Sequence, residues 1–291
     1  MRLFADSGCD LPLAFLQDYN VTLFPLVVEL NGKTYRDMLD IRAEEVYDAI
    51  REGATPRTHQ TPSNILYEAF HKLAMSEEDG VYITFSSNLS RMYEEAVNIK
   101  QQLIQQYPNF QLEIIDSQCA SLGYGLLVDK AARMNEEGYS TCEIVKEVKR
   151  RMESMVQLLV VDDLRYLAKG GRLSKAGAFV GELLSINPIF EMKNGKLIEI
   201  ERVRGRQKGM QRMLDLLEVR CTNLSNQVIC ISHADDVTFA AELKKVVETR
   251  FRPRKVGIAM IGSSIGCHTG PDAIALFALD ESYYTHIEHH L

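Results

Sequence analysis

Residues 81–90 read Val81-Tyr82-Ile83-Thr84-Phe85-Ser86-Ser87-Asn88-Leu89-Ser90. The first five form an apolar run of the length expected for one buried strand, and serines dominate the other five. In residues 90–107, apolar side chains then recur every three or four positions, as on the buried face of a helix: Met92, Ala96, Ile99 and Leu103. This stretch therefore predicts a strand, a polar loop and a helix.

The same order recurs through the first half of the sequence. Apolar runs at residues 3–5, 21–28 and 112–115 are each followed by turn residues and a helical pattern. Strands that alternate with helices favour a largely parallel sheet with helices on both faces. We therefore predict an N-terminal α/β/α domain over residues 1–155.

The rest of the chain predicts a second domain, because 291 residues is long for a single one. After an apolar run at residues 156–161, Asn194 and Gly195 mark a tight hairpin turn between residues 189–192 and 196–203. Hairpin-linked strands, followed by further strands and helices, indicate a mixed sheet. The predicted fold class is α/β with two domains, and the second domain covers residues 156–285.

Composition excludes several classes of protein. Hydrophobic residues make up 46% of the chain, charged residues make up 25%, and the net charge is −7. An acidic chain is unsuited to general nucleic-acid binding, which depends on a basic surface. No stretch approaches the roughly 20 apolar residues of a membrane-spanning helix, and the first six residues do not resemble a signal peptide. We expect a cytoplasmic protein whose six separate cysteines are free thiols.

Polar side chains gather after predicted strands, where ligands bind in open α/β sheets. They are Asp6 and Ser7 after the first strand, Thr58 and Thr61 ahead of a predicted helix, and Ser86, Ser87 and Ser90 in the stretch quoted above. Each group has two interpretations. Its oxygens can cap the start of a helix. Alternatively, Asp6 or Ser7 supports a polar site, and the hydroxyls of the other two groups join free backbone N–H groups in holding an anion.

His268 lies between Gly266 and Gly270, after another apolar run. A neutral imidazole at this position can donate one hydrogen bond to a carboxylate, and a protonated one can pair with it; a histidine hydrogen-bonded to a turn is the alternative. The sequence shows no phosphate-binding glycine loop, no serine-hydrolase elbow and no acid–base pair of carboxylates. These residues suit holding a small anionic group better than breaking bonds.

Two other segments each allow two interpretations. Small and large apolar residues at 176–181, with Leu183, Leu184, Ile186 and Ile189, fit either the wall of an apolar channel or ordinary core packing. Three histidines near the C-terminus fit either a metal site or a solvated tail, and the tail is the simpler interpretation: His286, His289 and His290.

These segments, in this order, resemble the DegV family, and the resemblance runs from about residue 2 to residue 279. The most specific match is residues 162–174, which include the run Lys169-Gly170-Gly171-Arg172. The other matching segments are Asp6-Ser7 with residues 10–12, Thr58 with Gln60, residues 86–90, Asp116-Ser117 with Gly123 and Gly125, Val203-Arg204, and residues 268–271. Each segment alone is a weak signal, and the ordered series is specific.

The resemblance implies a carrier of a long-chain fatty acid such as palmitate, stearate or oleate, enclosed between the two domains. It implies that the carboxylate is held by Thr58, by one of Ser86 or Ser87, and by His268, with Asp6, Ser7 and Thr61 in support. No cofactor and no catalysis by the chain alone are expected. The implied partner is the ATP-binding subunit of a fatty acid kinase, which phosphorylates the bound carboxylate.

Basic residues gather in two short segments, Lys169 with Arg172 and Arg202 with Arg204, Arg206 and Lys208, and they form either solvated charge or a surface that faces the kinase or steadies its phosphate. Arg172 and Arg204 are the favoured partner-facing residues, because they fall in segments that resemble family motifs and arginine can grip an oxyanion with two donors. A transient contact with a membrane surface is a further expectation, for a protein that handles lipid. The sequence departs from the family pattern at His59, Arg91-Met92, Asn187 and Asp272, and these departures bear on the contacts of the head group.

Two other functions remain open at this point. The chain is a stand-alone α/β enzyme, a hydrolase or a kinase-like protein using Ser87 and His268, if the purified chain turns a substrate over by itself. It is a regulatory or interaction protein if its ligand is only structural.

Overall fold

Two sheets of different architecture follow one another along the chain. A computed structural model describes residues 1–173 and 186–280. We call the residues that precede Met155 the first half and the residues from Met155 onward the second half. The α/β class, with a parallel sheet followed by a mixed sheet, is confirmed; the exact division at residues 155 and 156 stays a prediction.

The first sheet has four parallel strands in the order β2-β1-β6-β7. Its strands are β1 (Arg2–Asp6), β2 (Val21–Phe24), β6 (Gly80–Thr84) and β7 (Leu112–Asp116). Helices cover both faces: α1 (Leu13–Asp18), α3 (Ser63–Ser76), α4 (Met92–Gln106), α5 (Ser121–Glu136) and α6 (Thr141–Glu153). One core cluster joins the sheet to α3 and α4, and another joins it to α5 and α6, so both faces exclude water.

A small antiparallel sheet, β4-β3-β5, stands beside the first one. Its strands are β3 (Val27–Leu30), β4 (Lys33–Arg36) and β5 (Arg57–His59), and α2 (Ala43–Arg51) lies between the last two. The predicted single strand at residues 21–28 was wrong. Pro25 has no N–H to donate to a ladder, and the chain leaves the parallel sheet there and starts a new one.

The second half forms a six-stranded mixed sheet in the order β10-β9-β8-β13-β11-β12. Its strands are β8 (Met155–Val160), β9 (Ile186–Lys193), β10 (Lys196–Arg204), β11 (Val228–His233), β12 (Lys255–Met260) and β13 (Ile274–Leu279). Its helices are α7 (Leu164–Lys169), α8 (Arg206–Arg220), α9 (Val237–Phe251) and α10 (Ser263–Thr269). The predicted hairpin is present, with positive φ at both Asn194 (50°) and Gly195 (74°).

The two faces of this sheet pack on different partners. Ile274, Leu276 and Ala278 of β13 belong to the core cluster formed with α8 and α9, whereas Ala275 and Phe277 point to the opposite side. That opposite side faces the first half, and the space between them contains the cavity described below.

Some sequence predictions fall outside the described residues. They concern residues 176–181 with Leu183 and Leu184, the last residues of the predicted second domain (281–285), and the tail histidines His286, His289 and His290. Within the two described ranges, no helix has both the length and the apolar character needed to cross a membrane.

Candidate ligand-binding site

A cavity of about 360 Å³ lies between the two halves, a volume at the lower end of the usual range for small-molecule sites. The first half contributes Leu26, β5 with the residue after it, and residues that follow β6 and β7. The second half contributes residues of β8, β9, β10, β13, α7 and α10, with Arg172 and Ile261. Most of its wall is apolar: Leu26, Phe85, Leu89, Leu158, Leu159, Leu167, Met192, Leu197, Ile261, Ile265, Ala275 and Phe277. Such a wall suits a ligand that is mainly hydrocarbon.

Thr58 and His268 meet at the cavity, as the sequence predicts. Thr58 Oγ1 and His268 Nε2 are hydrogen-bonded at 2.7 Å, although the two residues are 210 positions apart in the chain. Thr58 is held by β5, where it pairs with Val28 of β3, and His268 lies in the last turn of α10. The tertiary fold thus joins a hydroxyl from the first half to an imidazole from the second.

His268 is uncharged at neutral pH. Burial, together with the charge of nearby Arg172, lowers its pKa to about 4. The other ring nitrogen, Nδ1, is buried and has no hydrogen-bond partner among the described residues. Gly170 packs against this ring, because a Cβ added to Gly170 would lie 2.1 Å from Nδ1. A glycine is needed there for close approach.

Arg172 supplies positive charge to the same cavity. Its guanidinium donates to Leu89 O at 3.2 Å and to Gly170 O, and it forms no ion pair with any carboxylate of the described residues. Burial lowers its pKa from the usual value. A half-buried guanidinium without a counterion attracts an anion, because two backbone carbonyls do not neutralise it.

Ser86 and Ser87 do not line the cavity, and their hydroxyls are used elsewhere. Ser86 Oγ donates to Gly195 O at 2.7 Å, which ties the β6–α4 loop to the β9–β10 hairpin. Ser87 Oγ donates to Asp116 Oδ2 at 2.5 Å. Ser90, in the same loop, does line the cavity. Adjacent side chains point to opposite faces only within a strand. Because β6 ends at Thr84, this alternation does not direct either Ser86 or Ser87 toward the cavity.

The predicted supporting residues have structural roles. Asp6 is fully buried and accepts hydrogen bonds from Gly8 N, Phe85 N and the Tyr82 hydroxyl; burial raises its pKa to about 7. Ser7 Oγ donates to Asp37 at 2.8 Å, and Thr61 Oγ1 donates to Pro25 O at 2.8 Å. These contacts shape the loops beneath the cavity, and none of the three residues lines it.

The basic residues of the second half separate into different groups. Arg204, at the end of β10, is exposed and does not line the cavity, whereas Arg172 does. Arg206 donates to Asp236 and to Asp272 O and stacks on Phe239, and Arg202 pairs with Glu199. For Ile189, the sequence left a channel wall and ordinary core packing open, and the structure places it in the core with α8.

Gln157 and Ser264, which contribute polar atoms to the cavity wall, were missed by sequence reasoning. Gln60, Arg91 and Thr269 also line the cavity; Gln60 and Thr269 lie in segments that resemble the family, and Arg91 is one of the departures expected to bear on the head-group contacts. The sequence did contain one usable signal: Asn31-Gly32, a tight turn between β3 and β4, marks the small sheet that carries Thr58. Gln157 lies within an apolar strand and gives no such signal.

The arrangement does not provide catalytic machinery for a serine enzyme. The Ser87 hydroxyl is bonded to Asp116, and the His268 Nε2 atom is bonded to Thr58, so these two residues form no nucleophile–base pair. Across residues 1–173 and 186–280, no cluster of three or more His, Cys, Asp or Glu side chains is placed to hold a metal ion. The site can hold a ligand with an apolar body and an anionic end.

Comparison with known proteins agrees with this geometry. A family model described as "Uncharacterised protein, DegV family" matches residues 1–281. A DegV domain-containing protein of Clostridium perfringens is 32% identical over 283 residues, which cover 96% of this chain and 97% of the relative. A DegV domain-containing protein of Caldanaerobacter subterraneus is also 32% identical, over 95% of this chain and 98% of its own length.

Solved structures with the same fold include fatty-acid-binding proteins. A DegV family protein of Thermus thermophilus, described as binding fatty acid, superposes with a TM-score of 0.87 at 27% identity, over 96% of this chain and 99% of the other. A stearic acid-binding protein of Eubacterium ventriosum gives the same TM-score, 0.87, and identity, 27%, over 98% and 100% of the two chains.

Proposed function

Because this chain belongs to the DegV family, we propose that it binds a long-chain fatty acid in the cavity between its two halves. The observation that carries the proposal is the distribution of polarity in the cavity. Its wall is mainly hydrocarbon. Thr58 supplies a hydroxyl, His268 supplies an imidazole, and Arg172, which has no counterion among the described residues, supplies a positive charge.

The physical chemistry of such a ligand fits this distribution. An ionised carboxylate is very costly to bury unless several donors converge on it. An alkyl chain contributes roughly 0.8 kcal/mol for each buried CH₂ group, so a C16 chain provides a large driving force even after ordering costs. The relatives in Thermus thermophilus and Eubacterium ventriosum, described as binding fatty acid and stearic acid, support the same ligand class.

We assign the head group to Thr58, Ser90, His268 and Arg172. We assign Ser90, and not Ser86 or Ser87, as the serine that contacts the carboxylate, because Ser90 lines the cavity and the other two do not. A neutral His268 can donate one hydrogen bond to the carboxylate, and Arg172 supplies the countercharge. Asp6, Ser7 and Thr61 support the loops that present these residues.

Native mass spectrometry of the purified protein, followed by lipid extraction, tests this function. We expect a bound mass of a C14–C18 acid that disappears on delipidation and returns when the acid is added. Delipidated protein that takes up no such acid, while remaining folded by circular dichroism, would contradict the proposal.

The finer proposal is that the chain presents the bound carboxylate to a separate fatty acid kinase subunit and does not react with ATP alone. Arg172 lies at the cavity and Arg204 is exposed, so the first is suited to steadying the arriving phosphate and the second to docking. The test pairs lipid content with kinase-dependent ATP consumption for Arg172→Ala and Arg204→Ala.

We expect both variants to slow acyl-phosphate formation at saturating fatty acid. Arg204→Ala should keep wild-type fatty acid affinity, whereas Arg172→Ala, which removes the countercharge of the carboxylate, should also weaken binding. Unchanged phosphorylation in both would remove these arginines from the mechanism. ATP consumption by the chain without any kinase would contradict the carrier role itself.

A further inference from the structure

Helix α10, which carries His268, has no capping side chain of its own. Its N-cap is Gly262, and the helix starts at Ser263. Two carboxyl groups of the first half bind its start instead. Gly262 N donates to Asp10 Oδ1 at 3.0 Å, and Ser264 N donates to Asp37 Oδ2 at 3.4 Å. Two of the amide groups that a helix leaves free at its N-terminus are thus satisfied from the other half of the molecule.

The carboxyl group of Asp10 lies very close to the backbone of Gly262. A Cβ added to Gly262 would lie 2.6 Å from Asp10 Oδ1, so the backbone of α10 approaches this carboxyl as only glycine allows. The other carboxylate oxygen of Asp10, Oδ2, accepts a hydrogen bond from the Ser121 hydroxyl. The Ser121 hydroxyl also lies 2.9 Å from the Ser232 hydroxyl. Ser232 belongs to β11 of the second half.

Asp37 is held in the same way. Its Oδ2 atom accepts from the Ser7 hydroxyl at 2.8 Å as well as from Ser264 N, and its side chain is 1% exposed. Ser7 in turn accepts from Leu26 N at 3.1 Å. Both carboxyls are therefore fixed within the first half before they reach α10.

The first turn of α10 is connected to the head-group site by a single helical turn. Ser264, His268 and Thr269 all line the cavity, and residues four apart in a helix lie on one face. A shift of the helix start is transmitted along a rigid helix to His268, which must meet Thr58 at 2.7 Å.

We propose that Asp10 and Asp37 are positioning residues, which hold α10 so that His268 meets the ligand head group at the boundary of the two halves. The inference rests on the proposed fatty-acid-binding function and deepens it. It assigns the head-group geometry to two buried carboxyls that do not line the cavity.

The test compares hexadecanoic acid with hexadecan-1-ol, which share the chain and differ in the anionic head group. The affinity ratio of the two ligands for delipidated protein reports the head-group contacts alone. We expect Asp10→Ala and Asp37→Ala to lower this ratio by about tenfold while the affinity for the alcohol is kept. Asp10→Asn retains an acceptor for Gly262 N, and we expect it to keep the ratio.

Two further variants separate positioning from general destabilisation. Arg51→Gln removes the ion pair between Arg51 and Asp235, which joins the two halves at 2.5 Å and does not include a residue of α10. This variant should leave the affinity ratio unchanged. In a His268→Ala background, Asp10→Ala should have no further effect on the ratio, since a positioning residue acts through the group it positions.

The outcomes are distinguishable. A wild-type protein that binds neither ligand would refute the proposed function. If the wild-type protein prefers the acid, and folded Asp10→Ala and Asp37→Ala show the same acid-to-alcohol affinity ratio, the positioning role is refuted and the proposed function stands. An Asp10→Ala effect that persists undiminished without His268 would also refute it, because the carboxyl would then act by another route.

Discussion

At the scale of single residues, three serines of one loop have three different roles. Ser86 bonds the hairpin of the other half, Ser87 bonds Asp116, and Ser90 lines the cavity. The residue type is the same in each case. The direction of each hydroxyl, which is set by the turn that follows β6, decides its role.

Ser90→Ala should weaken fatty acid binding by about 1–3 kcal/mol, because a buried carboxylate loses a donor. Ser87→Ala is the matched control from the same loop. It removes a donor to Asp116 and should lower the melting temperature without changing affinity. Isothermal titration of delipidated protein measures both affinities. Equal affinity losses in the two variants would contradict the assignment of Ser90.

The imidazole of His268 should stay neutral in ligand-free protein until the pH falls to about 4, since burial and Arg172 both disfavour its charged form. The unfolded chain takes up this proton at higher pH, near the ordinary value. The contribution of His268 to folding stability is therefore complete above that ordinary pKa and is lost as pH falls toward 4. Bound fatty acid should raise the pKa, because its carboxylate favours the imidazolium.

The measurement is the pH titration of the His268 ring resonance by NMR, assigned with His268→Gln. Titration at the ordinary histidine pKa in delipidated protein would contradict the buried, neutral state. A pKa unchanged by ligand would place the carboxylate away from this ring.

At the scale of secondary-structure elements, short segments carry the site and long ones support it. Thr58 comes from the three-residue strand β5, His268 from the seven-residue helix α10, and Gly170 from the end of the six-residue helix α7. None of these is long enough to be stable by itself. They are held by the larger sheets, so the site depends on packing between elements.

The contact between α7 and α10 predicts a specific effect of Gly170→Ala. Gly170 has a φ of −72°, so alanine fits the backbone there, but its Cβ would lie 2.1 Å from His268 Nδ1. We expect the ring to be displaced and fatty acid affinity to fall by at least about tenfold, for a loss of roughly 1.4 kcal/mol or more.

Gly138→Ala provides the control for Gly170→Ala. Gly138 has a φ of 84° and no atom within 4 Å of the added Cβ, so the change strains the backbone far from the cavity. It should lower the melting temperature and leave affinity unchanged. A Gly170→Ala protein with wild-type affinity and an undisplaced His268 ring in its crystal structure would show that the contact is not tight.

At the scale of the whole molecule, the two halves are joined by polar contacts around an apolar cavity. The hairpin turn contributes Gly195 O and Asn194 O, which accept from Ser86 Oγ at 2.7 Å and from Asn88 Nδ2 at 3.1 Å. The Tyr47 hydroxyl donates to Ile261 O at 2.9 Å. We expect a ligand buried between the halves to leave when contacts of this kind open.

The double variant Ser86→Ala/Asn88→Ala should therefore release bound fatty acid faster, by about tenfold, with a smaller change in the affinity of the closed state. Stopped-flow transfer to an acceptor such as albumin measures the rate. Thr141→Ala is a control, since it removes a hydrogen bond to Asp79 on the first half alone. An unchanged release rate in the double variant would show that exit does not require hairpin opening.

The sequence by itself determined the fold class and most of the elements. Alternation of apolar runs with helical periodicity predicts the parallel sheet, and Asn194-Gly195 predicts the hairpin, because these signals are local and depend on backbone geometry. The incorrect prediction of one strand over residues 21–28 also has a local cause. Pro25 ends β2, although the apolar pattern continues through residue 28. The motif series placed Thr58 and His268 among the candidates, and the structure brings them together.

Only the tertiary structure decided which polar side chains reach the cavity. Ser86, Ser87 and Ser90 carry identical hydroxyls, so composition cannot tell which is taken by a carbonyl or a carboxylate of another segment. The anchoring of α10 by Asp10 and Asp37 joins residues more than 200 positions apart. Such contacts depend on how two independently patterned halves pack, and local sequence periodicity carries no information about that packing.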